Sequence, residues 1–97
     1  MIVAAAAALA FASAGPTVAV KDDVFVKSSL TVKKGTKVTW KWQGKAPHNV
    51  TVTKGPSTFR SSTMTKGSYS KKLTKKGTYS LVCTIHAPEM KMTIKVK

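Results

Sequence analysis

Hydrophobic and polar positions alternate along the chain from Thr17 onward. The clearest run is Thr36–Trp42, where Val38, Trp40 and Trp42 fall on one face and lysine or threonine falls on the other. Successive side chains of a β-strand point to opposite faces of the sheet, so a period of two is typical of strands with one buried face. The pattern therefore predicts a strand whose two tryptophans belong to the core.

Shorter runs of the same kind recur at intervals of about 8–12 residues, with Gly or Pro between them. They lie at residues 24–26, 30–32, 48–52, 69–73, 79–83 and 92–96. The stretch between Gly55 and Gly67 is rich in Ser and Thr, and only an irregular strand around Phe59 is expected there. No helical repeat occurs after Ala14. This combination favours an all-β sandwich or barrel.

The candidate core follows from the inward parity of these runs. It contains Val38, Trp40, Val50, Leu81 and Ile94. Tyr79 is expected to pack inside or to form a corner contact, as tyrosines often do in Greek-key sandwiches.

The length and charge of the chain limit the classes of function. It has 97 residues, with 17 Lys+Arg against 3 Asp+Glu and a formal net charge of +14. One domain of this size excludes a multi-domain enzyme with a second cofactor domain. Hydrophobic residues make up 42%, which is enough for a core, so the excess of charge does not predict disorder.

The segment Ile2–Ala14 is apolar and ends in the small residues Ala12-Ser13-Ala14. It resembles the apolar region and A-x-A cleavage site of a secretory signal, although no Lys or Arg precedes it. We therefore expect a leader at residues 1–14, a domain at 15–97, and export to the periplasm, the cell surface or the exterior. If the leader remains, it is a short hydrophobic tail, because spanning a bilayer takes about 20 apolar residues.

The chain has one cysteine and two histidines, and all three lie beside predicted strand ends. Cys83 ends a predicted strand, and the Pro-containing loop after it can turn His86 and Met90 back toward the same point. His48 comes from a separate strand. A thiolate, two imidazoles and a weak thioether form the donor set of a blue-copper electron-transfer site. These four residues are the candidate ligands of one copper ion.

Three motifs surround these candidate ligands. They are K-G-T-x-V-x-W at residues 34–40, A-P-H-N-V at 46–50, and G-T-Y at 77–79 followed by C-T-I-H at 83–86 and Met90. Together they resemble a small cupredoxin of the plastocyanin–amicyanin type, over the segment from about Val24 to Val96. The resemblance implies a Greek-key β-sandwich that carries one type 1 copper ion and shuttles single electrons between redox partners, without enzymatic activity.

The same resemblance implies a role for each site residue. His48, Cys83 and His86 would be the trigonal copper ligands, and Met90 the long axial ligand. The residues around the ligands would include Pro47, Asn49 and Thr84. Asn49 would tie the strand of the first histidine to Thr84.

The loop length leaves an alternative for the axial ligand. Three residues separate His86 from Met90, a spacing between the shorter amicyanin loop and the longer plastocyanin loop. Met92 is the competitor, but it shares parity with Ile94 and Val96 and is therefore expected in the core of the last strand.

Other chemistries fit the chain less well. Zinc prefers four N, S or O ligands, and a thioether is a poor fourth one. A Cys–His nucleophile needs a substrate cleft for which the chain is too small. A further catalytic copper centre would need more than two histidines. A copper carrier or storage protein with the same ligands, and a metal-free cationic domain that binds an anionic polymer, remain as alternatives.

The partners are predicted from charge and from the expected exposure of His86. A small apolar patch of Ala46, Pro47, Ala87 and Pro88 would frame this histidine as the electron portal. The positive charge favours a redox protein with an acidic docking surface, or association with an anionic cell surface. Nucleic acid is not expected, because the lysines are scattered among the strands without an aromatic stripe.

Overall fold

The computed structural model describes residues 15–97, and the predicted leader at residues 1–14 lies outside the described residues. Within residues 15–97 there are eight strands and no helix. The strands are β1 (Thr17–Lys21), β2 (Val24–Phe25), β3 (Ser29–Val32), β4 (Thr36–Trp42), β5 (Thr51–Lys54), β6 (Gly67–Leu73), β7 (Gly77–Val82) and β8 (Lys91–Val96). In this part of the chain, no helix of the length and apolarity needed to cross a membrane is found.

The strands form two four-stranded sheets, in the orders β2-β1-β4-β6 and β3-β8-β7-β5. Each sheet has one parallel pair, β1 with β4 and β3 with β8, and its other pairs are antiparallel. From β3 to β7 the chain changes sheet at every connection. The predicted all-β sandwich is therefore confirmed, with both sheets mixed.

The core lies between the inner faces of the two sheets. The five predicted core residues, Val38, Trp40, Val50, Leu81 and Ile94, are all fully buried. β8 alternates strictly between buried and exposed positions, and β4 does so from Lys37 onward with exposed or half-buried positions between the buried ones, as expected for strands with one buried face. Burial of this apolar surface is the main favourable contribution to folding.

Two predicted runs differ from the observed strands. Val24 and Val26 are about half exposed, and Phe25 between them is buried. The cause is the register of β2, because Phe25 lies opposite the buried Val20 of β1. The run at residues 48–52 becomes a strand only from Thr51, since the residues before it enter the connection from β4.

The Ser/Thr-rich stretch around Phe59 forms no named strand. It runs antiparallel to β5 and to the residues before β5. Two isolated bridges pair it with them, Thr51 with Arg60 and His48 with Met64. Phe59 packs against the core and lies 6.0 Å from Trp40, measured between ring centroids.

Tyr79 makes the expected corner contact. Its ring is fully buried, and its hydroxyl donates a hydrogen bond of 2.9 Å to the carbonyl oxygen of Lys75, four residues earlier. The bond ties the turn between β6 and β7 to the interior, at the end of the sandwich opposite Cys83.

Replacement of Tyr79 by Phe removes this bond, together with the longer 3.3 Å contact between the Tyr79 and Ser57 hydroxyls, and leaves the ring in place. We expect the free energy of unfolding of the metal-free protein to fall by about 1 kcal/mol, the usual net contribution of such a bond. Urea denaturation followed by tryptophan fluorescence measures it. Tyr69→Phe is the matched control, because within residues 15–97 the Tyr69 hydroxyl makes no hydrogen bond to protein. An equal loss of unfolding free energy in both variants would contradict a stabilising role for the Tyr79 hydroxyl.

Candidate metal centre

The register between β5 and β7 brings two connections together at one end of the sandwich. Thr51 pairs with Val82, so the residues before Thr51 lie beside the residues after Val82. His48 is in the first group, and Cys83 is in the second. Val82 also pairs with Lys91 of β8, which places the start of the last strand at the same end. The three candidate ligand segments therefore meet because of strand pairing.

His48, Cys83 and His86 form a compact group of potential ligands. One ligand atom from each residue lies within 4.8 Å of the other two. The Sγ atom of Cys83 is 3.8 Å from Nδ1 of His48, and the two imidazole centroids are 5.0 Å apart. His48 and Cys83 are fully buried, whereas the His86 side chain is 30% exposed. His86 is thus the one member of the group with an edge at the surface.

Backbone hydrogen bonds hold the loop between β7 and β8 in a tight shape. The N–H of Cys83 donates to the carbonyl oxygen of Met90, at 3.0 Å. The N–H of His86 donates to Cys83, and the N–H of Met90 donates to His86, both at 3.1 Å. Met90 is 1% exposed. The loop therefore returns to its own starting point. The backbone of Met90 is bonded to Cys83 and His86, and its side chain is buried.

The two nearby methionines have different surroundings. Met92 lies within β8, opposite Leu81 in the core, and its Sδ atom accepts a hydrogen bond of 3.3 Å from Nε1 of Trp40. Met90 lies before the strand begins, in the loop that carries Cys83 and His86. The position of Met92 agrees with its expected role as a core residue.

Asn49 links the two connections. Its Nδ2 donates to the Thr84 hydroxyl at 2.8 Å, and its Oδ1 accepts from the backbone N–H of Thr84 at 3.2 Å. The backbone N–H of Asn49 donates to Sγ of Cys83 at 3.5 Å. Asn49 is 1% exposed, so its bond to Cys83 is buried, whereas its two bonds to Thr84 are partly buried. They fix the distance between the strand of His48 and the strand of Cys83.

Asp22 is a residue at this site that sequence reasoning missed. It lies in the turn between β1 and β2, and its carboxylate accepts hydrogen bonds from the backbone N–H groups of Lys45 and Ala46, the shortest of them 2.9 Å. Its Oδ1 is also 3.1 Å from Nε2 of His48. The N–H of Ala46, followed by the His48 side chain, lowers the pKa of Asp22 below its ordinary value. Asp22 is therefore an ionised acceptor that holds the His48 loop and ring.

Gly44 makes room for this carboxylate. A Cβ atom at this position would overlap Oδ1 of Asp22 and would approach its backbone nitrogen to 2.7 Å. The parallel pairing of β1 with β4 brings the two turns together, because Val20 lies opposite Trp42. The sequence contains only an indirect indication that Asp22 has a specific role: it is one of just 3 acidic residues in a chain of net charge +14.

Two more carboxylates lie beside His86. Oδ1 of Asp23 is 3.2 Å from Nε2 of His86, and this buried nitrogen has no hydrogen-bond partner among residues 15–97. A surface depression is lined by Asp23, His86, Ala87 and Glu89. All 3 acidic residues of the chain thus lie at the end that carries the histidines.

The group suits a copper ion in three respects. It combines a thiol with two imidazoles, the ligand types of a blue-copper site. The carboxylate of Asp22 can only accept a hydrogen bond, so a neutral His48 ring would carry its proton on Nε2 and leave the lone pair on Nδ1, which faces Sγ of Cys83. A carboxylate on the outer nitrogen is common among metal-binding histidines, because it orients the ring and raises its basicity.

Comparison with known proteins gives a consistent result. Residues 13–97 match the family of copper binding proteins described as plastocyanin/azurin. Among solved structures, an oxidized amicyanin variant is 30% identical with a TM-score of 0.76, over 86% of this chain and 82% of that chain. A Cu(I) form of another amicyanin variant is 32% identical with a TM-score of 0.75, over the same shares. No curated protein sequence matches the chain significantly.

An all-β sandwich with a His–Cys–His group at one end, two of its members buried, defines a small copper protein of the blue type. The chain belongs to the plastocyanin/azurin family of copper-binding proteins. Its function is electron transfer through one type 1 copper ion, as the motifs around His48 and Cys83 implied.

Replacement of Asp22 by Ala tests its hold on His48 in the metal-free protein. We expect the wild-type ring to carry its proton on Nε2, and the variant ring to populate both neutral tautomers, because the fixed acceptor is gone. Long-range ¹H–¹⁵N spectra of the imidazole distinguish the two forms. Asp23→Ala is the control, since Asp23 makes no contact with His48. An unchanged Nε2–H tautomer after loss of Asp22 would refute this role.

Proposed function

We propose that His48, Cys83 and His86 are the trigonal ligands of the copper ion and that Met90 is its axial ligand. The observation that supports this most is the approach of the three ligand atoms to within 4.8 Å of one another. Copper bound there would supply one-electron chemistry by alternating between Cu(I) and Cu(II). The burial of Met90 in the same loop, and the engagement of Met92 with Trp40, favour Met90 as the fourth ligand.

The role of the protein is to keep these side chains in place while the charge changes. His48 is held by Asp22 at Nε2. Cys83 is held through its N–H by Met90, and its Sγ accepts one weak bond from Asn49. Because the restraints come from both sheets, the ligands would move little between the two charge states. Small movement favours one-electron transfer, as expected of an electron carrier.

Cys83→Ser tests the thiolate ligand. Addition of Cu(II) to the wild-type protein should produce the intense visible absorption of a copper–thiolate bond. We expect the variant to lose this band completely, because a serine hydroxyl supplies no such donor. Absorption spectra and a metal assay of the same samples make the measurement. Copper bound in the wild type without such a band would contradict the type 1 assignment.

The two methionines provide a matched pair for the axial ligand. Met90→Leu should raise the reduction potential, because loss of a thioether donor destabilises Cu(II) more than Cu(I), and the axial ligand tunes this potential. Met92→Leu removes the sulfur that Trp40 contacts and should leave the potential close to that of the wild type. Voltammetry of both copper-loaded variants gives the values. The opposite ranking would make Met92 the axial ligand.

We propose that electrons enter and leave through the exposed edge of His86. The residues of the proposed docking patch are half-buried or exposed: Ala46, Pro47, Ala87 and Pro88. Asp23 and Glu89 lie at the edge of this patch, which adds negative charge close to the portal. The net charge of +14 still attracts an acidic redox partner from a distance, and the apolar patch then provides the contact.

The salt dependence of a simple redox reaction tests the sign of the field at this portal. Oxidation of the reduced protein by hexacyanoferrate(III), an anion, should slow as ionic strength rises, because salt screens the attraction. Oxidation by a tripositive cobalt complex should accelerate. Stopped-flow absorption follows both reactions. If the cobalt reaction slowed instead, the carboxylates of Asp23 and Glu89 would govern encounter, and an acidic partner would be the wrong proposal.

The proposed location is outside the cytoplasm, with a domain at residues 15–97 after a leader at residues 1–14. Support comes from the apolar segment Ile2–Ala14 and its small-residue end. A single buried cysteine, with no disulfide partner in the chain, is compatible with export if a metal protects the thiol. Mass spectrometry of the protein recovered from a producing cell would give the cleavage site.

A further inference from the structure

The fold gathers lysines at the end of the sandwich that lies opposite the metal centre. The lysine end is defined here by six exposed residues: Lys33, Lys34, Lys37, Lys72, Lys75 and Lys76. The sequence suggested scattered lysines, but pairing of β4 with β6 joins two lysine-bearing turns that are far apart in the chain.

Direct contacts join these turns. Gly35, which follows Lys33 and Lys34, donates a backbone hydrogen bond of 2.6 Å to the carbonyl oxygen of Leu73, just before Lys75 and Lys76. The C-terminal Lys97 is part of the same surface, because its carbonyl oxygen accepts from the N–H of Lys34 at 3.0 Å. The lysine end is therefore a continuous surface.

No acidic side chain lies at this surface. The chain has 3 acidic side chains, and all of them lie at the opposite end of the sandwich. Within residues 15–97, no lysine ammonium group forms an ion pair with a carboxylate. Lys37 and Lys72 are direct cross-strand partners, an arrangement of like charges that destabilises a sheet. A surface that keeps such a repulsion unrelieved is suited to an anionic partner.

The apolar segment of the chain joins the fold at the same end. Gly15, the first residue that the structure describes, packs against the backbone of Lys37 and the side chain of Thr36, at the beginning of β4. The 13 residues Ile2–Ala14 directly precede it and contain no charge. Short apolar segments bind membranes weakly by themselves, and stable attachment takes a second signal such as a polybasic patch. In a chain that keeps this segment as a tail, the segment is joined to the fold at Gly15, next to the lysine end.

We propose that the lysine end binds the anionic lipid headgroups of a membrane surface. In the uncleaved chain the apolar segment next to Gly15 favours lipid over nucleic acid. No aromatic side chain of residues 15–97 is fully exposed, so no open platform for stacking bases is present there. β4 runs from this end to the metal end over seven residues, about 20 Å. A protein attached in this way turns His86 away from the membrane, toward a soluble redox partner.

The test uses the full copper-loaded chain and vesicles of two compositions, phosphatidylcholine alone and an equimolar mixture with phosphatidylglycerol. Co-sedimentation measures the partition of the protein. We expect binding to the anionic vesicles only, and loss of this binding at high salt. In a variant with Lys33, Lys34, Lys75 and Lys76 changed to Gln, partition should fall about a hundred-fold or more.

The chain offers a control with the same net charge. Lys21, Lys41, Lys66 and Lys91 are exposed and lie in the half that carries the metal centre, and their change to Gln should weaken partition less than about ten-fold. The visible copper band of the first variant checks its fold, because the lysine end is remote from the ligands.

Three outcomes would overturn the proposal. Equal weakening in the two variants would mean that net charge alone drives binding. Equal binding of the wild type to both kinds of vesicle would assign attachment to the apolar segment alone. If the variant at the lysine end kept its vesicle binding and lost affinity for duplex DNA instead, the partner would be a nucleic acid. Each result is independent of whether Met90 or Met92 is the axial ligand.

Discussion

The pairing of Thr51 with Val82 is the constraint on which the metal end depends. It places Asn49 beside Cys83 and Thr84, and the hydrogen bonds among these residues lock the two connections together. A slip of one residue would turn every side chain of the strand to the opposite face of the sheet. Cys83 would then no longer face His48. The site therefore depends on the strand register. The buried candidate ligands His48 and Cys83 are held in place by their attachment to the sandwich core.

A second restraint comes from the other sheet. The turn after β1 carries Asp22, whose carboxylate binds the loop of Lys45 and Ala46 and the outer nitrogen of His48. His48 is thus fixed from the outside by Asp22 and lies against Cys83 on the inside. His86 has no comparable hydrogen bond at its outer nitrogen within the part of the chain that the structure describes. His48 is buried and held by Asp22, whereas His86 is partly exposed at the surface where we propose that a partner docks.

The sequence predicted the features that depend on local periodicity. Val38, Trp40 and Trp42 are buried because alternation within one strand fixes its faces, and the motifs around His48 and Cys83 identified the family. Contacts that arise from pairing between strands far apart in the chain could not be predicted from the sequence. Asp22 meets His48 because β1 runs parallel to β4, and nothing local to the turn indicates that neighbour. Val24 and Val26 had the expected period, but pairing with β1 reversed which face was buried.

The distribution of charge explains how a strongly basic protein can present carboxylates at its electron portal. In physiological salt the Debye length is about 8 Å, so the field of the exposed charges extends only about that far from the surface. Within this layer an approaching partner meets the summed field of 17 basic residues, while at contact Asp23 and Glu89 act locally beside His86. Attraction at long range and discrimination at short range can therefore have opposite signs. A partner suited to both would be acidic overall and would bring a basic or neutral group to the depression beside His86.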